Sequence, residues 1–275
     1  MNQNMKTQNV TEHLASNIVD KRSISKSFGS SAATYDKGAA LQRSVGNHLL
    51  ELIPPANTTL MDLGTGPGYF SSALSDRSDT LIGLDIAPKM LEFAAMRNPS
   101  LDVNWLCGDA EHLPLASQSI DTIYSSLMLQ WVHNLGNALQ EAARVLKPGG
   151  KLCFSTLLNG TLHELACAWR FVDNEQHINS FLTREQIEQA IGQSGLDVEL
   201  IECKPHYLYY DNVIGLMRDL KAIGANQTAN KQSGLMGRST LAKLEKGYAP
   251  FRTEQGLTTT YQVAYCVLTK SENND

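Results

Sequence analysis

Three glycines in one short loop are the first residues of this sequence whose type and spacing could bind a cofactor. The stretch TTLMDLGTGPGYF places Gly64, Gly66 and Gly68 at alternate positions after an apolar run. Glycine permits a tight strand-to-helix turn in which the backbone approaches a ligand closely. An isolated match of this kind is equally typical of a plain turn. The acids around the loop therefore decide how it is interpreted.

Three aspartates stand at or near the ends of successive apolar runs: Asp62, Asp85 and Asp109. Asp85 follows the first loop glycine by 21 residues, where an acid can accept hydrogen bonds from both hydroxyls of a ribose. Asp109 can meet the exocyclic amine of an adenine, with the backbone of Ala110 as a second contact. Each acid alone could be a loop cap or a solvated charge. As an ordered set they indicate a nucleoside site, in which we include Ile86.

Two cofactors compete for this site. A nicotinamide dinucleotide needs GxGxxG spacing and a helix N-terminus that faces its pyrophosphate. This loop has GxGxG spacing and is preceded by Asp62. An acid aimed into the loop suits a cation and repels a pyrophosphate, and S-adenosylmethionine carries an ammonium and a sulfonium but no phosphate. The set therefore predicts S-adenosylmethionine as the cofactor, and we expect no metal site.

The elements that position these residues alternate between short apolar runs and helix-length amphipathic stretches. The predicted strands are residues 58–63, 80–86, 103–109, 120–129, 151–158, 196–210 and 258–270. The pattern predicts an α/β fold: a Rossmann-like, seven-stranded, mostly parallel sheet with helices on both faces. The last strand has no helix after it, and we expect it to be an antiparallel edge strand that closes the sheet.

Three segments lie outside this predicted core. Residues 1–22 form a polar leader, predicted to be mobile, without the apolar middle of a secretory signal. Residues 23–57 are predicted as a helical cover, because apolar residues recur there at helical spacing. Residues 211–257 are an insertion between the last two strands. We interpret residues 23–275 as a single domain whose cover and insertion act as a lid over the carboxyl ends of the strands.

The composition argues against several functional classes. A net charge of -5 and a pI near 5.8 do not suggest nucleic-acid binding. The sequence contains no run of 18 apolar residues, so we expect no membrane span. The five cysteines include no CxxC pair, which favours free thiols in a reducing cytoplasm over disulfides or a zinc site. We therefore expect a cytoplasmic protein.

Four ordered motifs resemble those of the class I S-adenosylmethionine-dependent methyltransferases. They are MDLGTGPG, LIGLDIAPKML, CGDAEHLPLASQSIDTIYSSLMLQWV and EAARVLKPGGKLCFST, within residues 35–160. Thr65 departs from many relatives, which have cysteine there, a change that the loop should tolerate. The resemblance implies the class I methyltransferase fold and adds Gln130, after the fourth strand, to the cofactor-binding residues. It does not identify the methyl acceptor.

A second set of motifs resembles the malonyl-[acyl-carrier-protein] O-methyltransferase family of biotin synthesis. It comprises SFGSSAATYDKGAALQRSVGNHLL, LMLQWV, LMRDLKAIGAN and SGLMGRSTLAKLEKGY, and extends the match over nearly the whole chain beyond residue 22. The resemblance implies methylation of the free carboxylate of a malonyl thioester on acyl carrier protein. The methyl ester masks the charge and lets the product prime synthesis of the pimeloyl chain.

This chemistry needs no general base, because a carboxylate with a pKa of about 4 is already ionised at pH 7. Exclusion of water and alignment of the reacting atoms would supply most of the rate. The resemblance favours Arg218 as the residue that orients the acceptor carboxylate, with Lys221 on nearly the same helical face. A surface pair with Asp219 is the alternative. Tyr35 could lie over the cofactor or substrate, or be a core aromatic.

The charge of the insertion also indicates a binding partner. Residues 211–252 contain seven bases and three acids, a balance of +4, so the rest of the chain carries -9. A basic segment on an acidic body suits docking of an acidic carrier protein, with Arg238 and Lys243 as predicted contacts, although an ordinary mixed surface is the alternative. Trp131, at the pocket mouth, could contact substrate or simply pack. His133 beside it is interpreted as a cap of the next helix.

Two other functions stay open at this point. One is a methyltransferase for an aconitate-like carboxylate or a quinone carbon. A carbon or hydroxyl acceptor would need a base, which would give His133 or Tyr35 a role. The other is a non-catalytic binder of S-adenosylmethionine or a nucleotide-binding regulator, which the three intact aspartates disfavour.

Overall fold

A computed structural model gives the fold of residues 21, 25–26, 28–29, 39–55, 57–222 and 237–272. The predicted catalytic Tyr35 and residues 1–20 of the predicted leader lie outside these described residues. Within the described ranges, no helix is both long and apolar enough to cross a membrane.

One mixed β-sheet forms the centre of the molecule. Its strands are β1 (Asn57–Leu63), β2 (Ser78–Asp85), β3 (Val103–Cys107), β4 (Ile120–Ser126), β5 (Leu146–Leu157), β6 (Leu196–Tyr210), β7 (Arg252–Thr253) and β8 (Gly256–Lys270). The strand order is β3-β2-β1-β4-β5-β8-β6, and the two-residue β7 pairs with β8 beside this path. The first five strands pair in parallel, whereas β8 runs antiparallel to both of its long neighbours. The mostly parallel sheet with an antiparallel last strand is thereby confirmed.

The position of the last strand differs from the prediction. β8 lies between β5 and β6, so its predicted place at the edge of the sheet is wrong. Every residue from Val263 to Leu268 is buried, and both faces of the strand are therefore covered. In β6, by contrast, alternate residues from Cys203 to Tyr209 are exposed. A strand buried on both faces belongs inside a sheet, and the half-exposed β6 takes the edge.

Helices cover both faces of this sheet. Those with assigned bounds are α1 (Ala40–Leu52), α2 (Ser71–Ser75), α3 (Pro88–Arg97), α4 (Leu135–Val145), α5 (His163–Trp169), α6 (Arg184–Gly192), α7 (Val213–Ala222) and α8 (Arg238–Tyr248). Local sequence explains several of the helix starts. Pro88 opens α3, and Thr183 forms a capping box with Gln186 at the start of α6. Asn134, and not the neighbouring His133 as predicted, caps α4 with its side chain.

The strands send alternate side chains into two hydrophobic cores, one on each face. In β1, Leu60 belongs to the core that contains α1, α7 and α8, whereas Met61 belongs to the core that contains α4 and α6. Val45 of α1, Leu216 of α7 and Leu244 of α8 are fully buried in the first core. Burial of such a side chain contributes roughly 1.5–3 kcal/mol. The described helices of the predicted cover and insertion are thus structural parts of the core, while their action as a lid stays a prediction.

Candidate cofactor site

The loop after β1 turns sharply because its three glycines have positive φ angles. These are 81° at Gly64, 53° at Gly66 and 69° at Gly68, a region that residues with a Cβ rarely adopt. A Cβ on Gly64 would lie 2.2 Å from a side-chain atom of Met128, so the backbone there is closely packed. A Cβ on Gly66 would meet nothing within 4 Å. The middle of the loop is therefore an open backbone cradle that a side chain would fill.

Asp85, at the end of β2, is held against this loop. Its carboxylate accepts the backbone N–H of Gly66 at 2.9 Å and that of Ala87 at 2.8 Å. Burial raises the pKa of Asp85 to about 6, although the backbone hydrogen bonds oppose the increase. The partly buried side chain is thus a fixed acceptor at a strand end, the position expected for a group that binds ribose hydroxyls.

Asp62, at the end of β1, is even more deeply buried, with 3% of its surface exposed. Burial raises its pKa to about 7, and the negative charge of Asp85 contributes to the increase. The buried Asp62 and the partly buried Asp85, both with raised pKa values, would be stabilised by a cationic ligand and would repel an anionic one. The geometry therefore supports the predicted preference for a cation over a pyrophosphate.

Asp109 has a different environment, because Lys21 pairs with it. The Lys21 Nζ lies 2.6 Å from Asp109 Oδ2 and 2.5 Å from Glu111 Oε2. Burial acts to raise the pKa of Asp109, but the Lys21 ammonium outweighs burial and holds that pKa below its usual range. The Glu111 carboxylate also accepts the backbone N–H groups of His133 and Asn134 at 3.0 Å each, which fixes the loop after β4.

Two clefts open on the glycine loop. The Asp85 cleft, lined by Asp85, Ile86, Asp109 and Ala110 among others, contains about 750 Å³ of empty space. The Asp62 cleft, lined by Asp62, Gln42, Arg43 and Tyr69 among others, contains about 480 Å³. Gly64, Gly66 and Ser126 line both clefts, so the two clefts are adjacent and have one wall in common.

Most of the predicted cofactor-binding residues meet at these clefts. The Asp85 cleft is lined by Asp85, Ile86, Asp109 and Ala110, and the Asp62 cleft by Asp62. Gly64 and Gly66 line both clefts. Gly68 and Gln130 line neither cleft. Gly68 packs on α3, where a Cβ would approach the Ala94 side chain to 2.9 Å. The Gln130 amide donates to the Leu127 carbonyl at 2.7 Å, and its oxygen accepts the Thr156 hydroxyl at 3.4 Å. A cofactor contact by these two residues stays a prediction.

The N-terminal segment contacts the Asp85 cleft as well. Trp131, predicted to contact substrate or carrier, lines this cleft, and Phe28 packs edge-on against it with ring centroids 5.3 Å apart. The Ser25 hydroxyl donates to the Ile86 carbonyl at 3.2 Å. Lys21, Ser25 and Phe28 therefore lie against the Asp85 cleft, although Lys21 falls within the predicted polar leader. No local sequence signal identifies Lys21, whereas Glu111 lies within the CGDAEHLP motif.

The predicted substrate and carrier residues lie elsewhere. Arg218 and Lys221 are exposed on α7, and Arg238 and Lys243 are exposed on α8. Among the described residues that line the two clefts, none of these four occurs. Their roles in orienting the acceptor and docking the carrier stay predictions, as does the role of Tyr35.

Comparison with known proteins identifies the family. Residues 61–154 match the model of the methyltransferase domain family. The chain is 42% identical over 238 residues to the malonyl-[acyl-carrier protein] O-methyltransferase of Methylococcus capsulatus, covering 83% of this chain and 86% of that protein. This chain belongs to the malonyl-[acyl-carrier protein] O-methyltransferase family. The family member of Serratia marcescens is 40% identical over 258 residues, covering 92% of this chain and 98% of that protein.

A longer relative and two solved structures complete the comparison. The biotin biosynthesis bifunctional protein BioHC of Cellvibrio japonicus is 44% identical over 266 residues, which are 96% of this chain and 53% of that protein. The chain thus spans about half the length of this bifunctional relative. The fold matches a chain from the complex of the Haloferax volcanii Trm112 activator with a putative methyltransferase (TM-score 0.60, 19% identity, 89% and 97% covered). It also matches the Bacillus YcgJ protein (TM-score 0.60, 19% identity, 82% and 100% covered).

These matches confirm the predicted class I methyltransferase fold, and family membership confirms S-adenosylmethionine as the cofactor. The residues of this chain fit that molecule. The cradle at Gly66 is open, and the acids Asp62 and Asp85 are buried and partly buried, respectively. The side-chain oxygen of Gln42 in the Asp62 cleft is buried without a hydrogen-bond partner among the described residues. A cationic nucleoside with an amino-acid tail offers a partner to each of these groups.

Proposed function

We propose that this chain transfers the methyl group of S-adenosylmethionine to the free carboxylate of a malonyl group carried by acyl carrier protein. The observation that carries the proposal is the 42% identity to a protein named for this reaction, with 86% of its length covered. The product is the methyl ester that primes pimeloyl synthesis for biotin. The name of the BioHC relative, a biotin biosynthesis protein, supports this place for the product.

The chain binds its cofactor through the two clefts. Asp85 receives the ribose hydroxyls, and Asp109 and Ala110 receive the adenine. Gly64 and Gly66 bring the backbone close to the middle of the molecule. When bound, S-adenosylmethionine supplies an electrophilic methyl group attached to a sulfonium. Because this ligand has no phosphate and carries a sulfonium and an ammonium against one carboxylate, the acids of the site face a net positive charge.

The protein's part in the transfer is positioning and exclusion of water. The malonyl carboxylate is ionised at pH 7, since carboxyl pKa values are about 4, so no side chain has to remove a proton. Arg218 is proposed to bind both carboxylate oxygens through its planar guanidinium. Tyr35 is proposed to cover the reacting atoms, together with the wall that Trp131 and Phe28 form. Alignment of the reacting atoms and exclusion of water account for most of the rate of methyl transfer.

Docking of the carrier is proposed to use α7 and α8. Lys221, Arg238 and Lys243 are exposed on these two helices. Acyl carrier proteins are acidic, so a basic surface on a chain of net charge -5 provides a local patch of the opposite sign. The proposed location is the cytoplasm, which agrees with the five free cysteines.

The test of the reaction uses the purified full chain with S-adenosylmethionine and malonyl-loaded acyl carrier protein. We expect mass spectrometry to show the gain of one methyl group on the malonyl unit and release of that group by an esterase. Free malonate should not be methylated. Methylation of aconitate or of a quinone instead, or no methylation of the loaded carrier, would contradict the proposal.

The test of carrier docking reverses two charges on α8, with Arg238→Glu and Lys243→Glu in one variant. We expect KM for the malonyl carrier to increase about tenfold, while a small malonyl thioester reacts at an unchanged rate. Arg184→Glu, which reverses an exposed charge on α6, is the control and should leave both substrates unaffected. Equal losses on carrier and small thioester would rule out a docking role.

A further inference from the structure

Helix α8 carries exposed basic residues and lies between two exposed apolar side chains. Ile214, at the start of α7, has 47% of its surface exposed, and Phe171, just after α5, has 55% exposed. The exposed bases of α8 include Arg238, Lys243 and Lys246. We call these five residues the α8 face. Apolar side chains that share one surface with charged residues are typical of protein-binding sites.

The contacts of α8 place the two apolar residues on opposite sides of this helix. The Glu245 carboxylate accepts the backbone N–H of Val213 at 2.8 Å, which holds the start of α7, where Ile214 lies, beside α8. A Cβ on Gly247 would lie 2.9 Å from the Phe171 ring, so Phe171 packs on α8 at that position. Residues two apart in an α-helix point about 200° apart, so these contacts are on nearly opposite sides.

The three bases occupy the arc of α8 between these two contacts. Around the helix axis from the Glu245 side, they come at about 20°, 100° and 160°, in the order Arg238, Lys246, Lys243. Gly247, with Phe171 against it, follows at about 200°. Leu244 and Tyr248 point the other way and are buried in the core. The α8 face is therefore one surface, apolar at its two margins and basic in the middle.

The acids that border the α8 face are engaged within the chain. Glu245 bonds to the start of α7, and Asp173, two residues after Phe171, has its Oδ1 atom 2.7 Å from His177 Nε2. The bases thus give the surface a local positive charge on a chain whose net charge is -5. A second copy of this acidic chain could supply negative charge only from another of its surfaces. An acidic helix with apolar side chains at its margins matches the α8 face directly.

The α8 face lies at the edge of the sheet where the cofactor clefts open. β8 runs antiparallel to both β5 and β6, and β5 runs parallel to the first four strands. β6 therefore ends, at Tyr210, on the same edge as the ends of β1 and β2, which carry Asp62 and Asp85. α7 follows β6 at this edge, and α8 leads back into β7 and β8. A partner bound to the α8 face is thus on the side from which an acceptor reaches the cofactor.

We propose that the α8 face docks an acidic helix of the acyl carrier protein, with Ile214 and Phe171 as apolar anchors on either side of the three bases. The inference rests on the proposed function and deepens it, because it assigns to the carrier two apolar contacts besides the charged ones. Side chains that lose all their water on binding contribute most of the affinity of an interface. Charges at the rim act mainly on the rate and orientation of association.

The test compares the wild-type chain with Ile214→Ser and Phe171→Ser, singly and combined, on malonyl-loaded carrier and on a small malonyl thioester. Each single variant should increase KM for the loaded carrier about five- to thirtyfold and leave kcat and the reaction of the small thioester unchanged. Calorimetric titration with unloaded carrier should show a similar loss of affinity, which separates docking from recognition of the malonyl group. Met96→Ser on α3 is the control, because Met96 is apolar and 71% exposed, and it should leave both substrates unaffected.

The outcomes separate this inference from the proposed function. If the wild-type protein does not methylate the loaded carrier, the proposed function and the inference fail together. If it does, and the combined variant keeps the wild-type KM for the carrier or loses both substrates to the same extent, the inference alone is overturned. A change in oligomeric state in sedimentation, with an unchanged KM for the carrier, would assign the α8 face to contact between copies of this chain instead.

Discussion

Replacing the buried Asp62 by asparagine should stabilise the ligand-free protein at alkaline pH. Burial raises the pKa of Asp62 from 3.8 to about 7, whereas in the unfolded chain it titrates near its ordinary value. Between these two values the folded protein binds more protons than the unfolded chain, so stability falls as the pH increases. The stability that the protonated Asp62 contributes to the folded protein is fully present below about pH 4 and is lost as the pH rises through about 7. Asparagine has a similar shape and does not titrate.

The size of the effect follows from the shift in pKa. One pKa unit corresponds to about 1.4 kcal/mol, so the raised pKa of Asp62 lowers the free energy of unfolding by about 4 kcal/mol at pH 8 and by about 2 kcal/mol at pH 5. The gain in unfolding free energy from Asp62→Asn should therefore be about 2–3 kcal/mol larger at pH 8 than at pH 5. For a chain of this size, the difference corresponds to roughly 5–10 °C in Tm.

The assay is urea unfolding of both proteins at pH 5 and pH 8 without ligand, followed by titration with S-adenosylhomocysteine at pH 8. The variant should bind this ligand about tenfold more weakly or worse, because the ammonium loses its anionic partner. Asp102→Asn, which removes an exposed carboxylate, controls for loss of charge at the surface. An equal stability difference at both pH values, or unchanged affinity for the ligand, would refute the reasoning.

Two further predictions separate binding from folding. Gly66→Ala should reduce stability by about 1–2 kcal/mol, from its positive φ, because the space around it is open. It should weaken S-adenosylhomocysteine binding at least tenfold in calorimetry, since the new Cβ fills the cradle, and undiminished affinity would contradict the account. Glu164→Gln should reduce the free energy of unfolding in urea by about 1–3 kcal/mol, because the buried carboxylate accepts both the backbone N–H and the hydroxyl of Thr260. A loss of ligand affinity without a loss of stability would show that this residue has another role.

Much of the fold was predictable because its signals are local. The apolar run at 58–63 became β1 with one further residue, and the segment at 196–210 became β6 with the same bounds. The glycine loop and the acids at the strand ends were likewise predictable, since a turn with positive φ and a following helix require particular residue types at fixed positions. These short-range patterns single out the three aspartates, and their contact with the cofactor stays a prediction.

Features that depend on distant contacts were not predictable from the sequence. Helix α5 was missed: it is short, begins after Leu162 in the left-handed region, and relies on Glu164 bonding to Thr260, 96 residues away. The ion pair between Lys21 and Asp109 joins residues 88 apart. The place of β8 inside the sheet depends on burial of both its faces.

The central claim is that buried acids at the strand ends select a positively charged methyl donor over a phosphorylated nucleotide. The most direct measurement is a calorimetric titration of the wild-type protein at pH 8 with S-adenosylmethionine and, separately, with NAD. We predict saturable binding of S-adenosylmethionine and no measurable binding of NAD at the same concentrations. Tight binding of NAD together with no binding of S-adenosylmethionine would contradict the account.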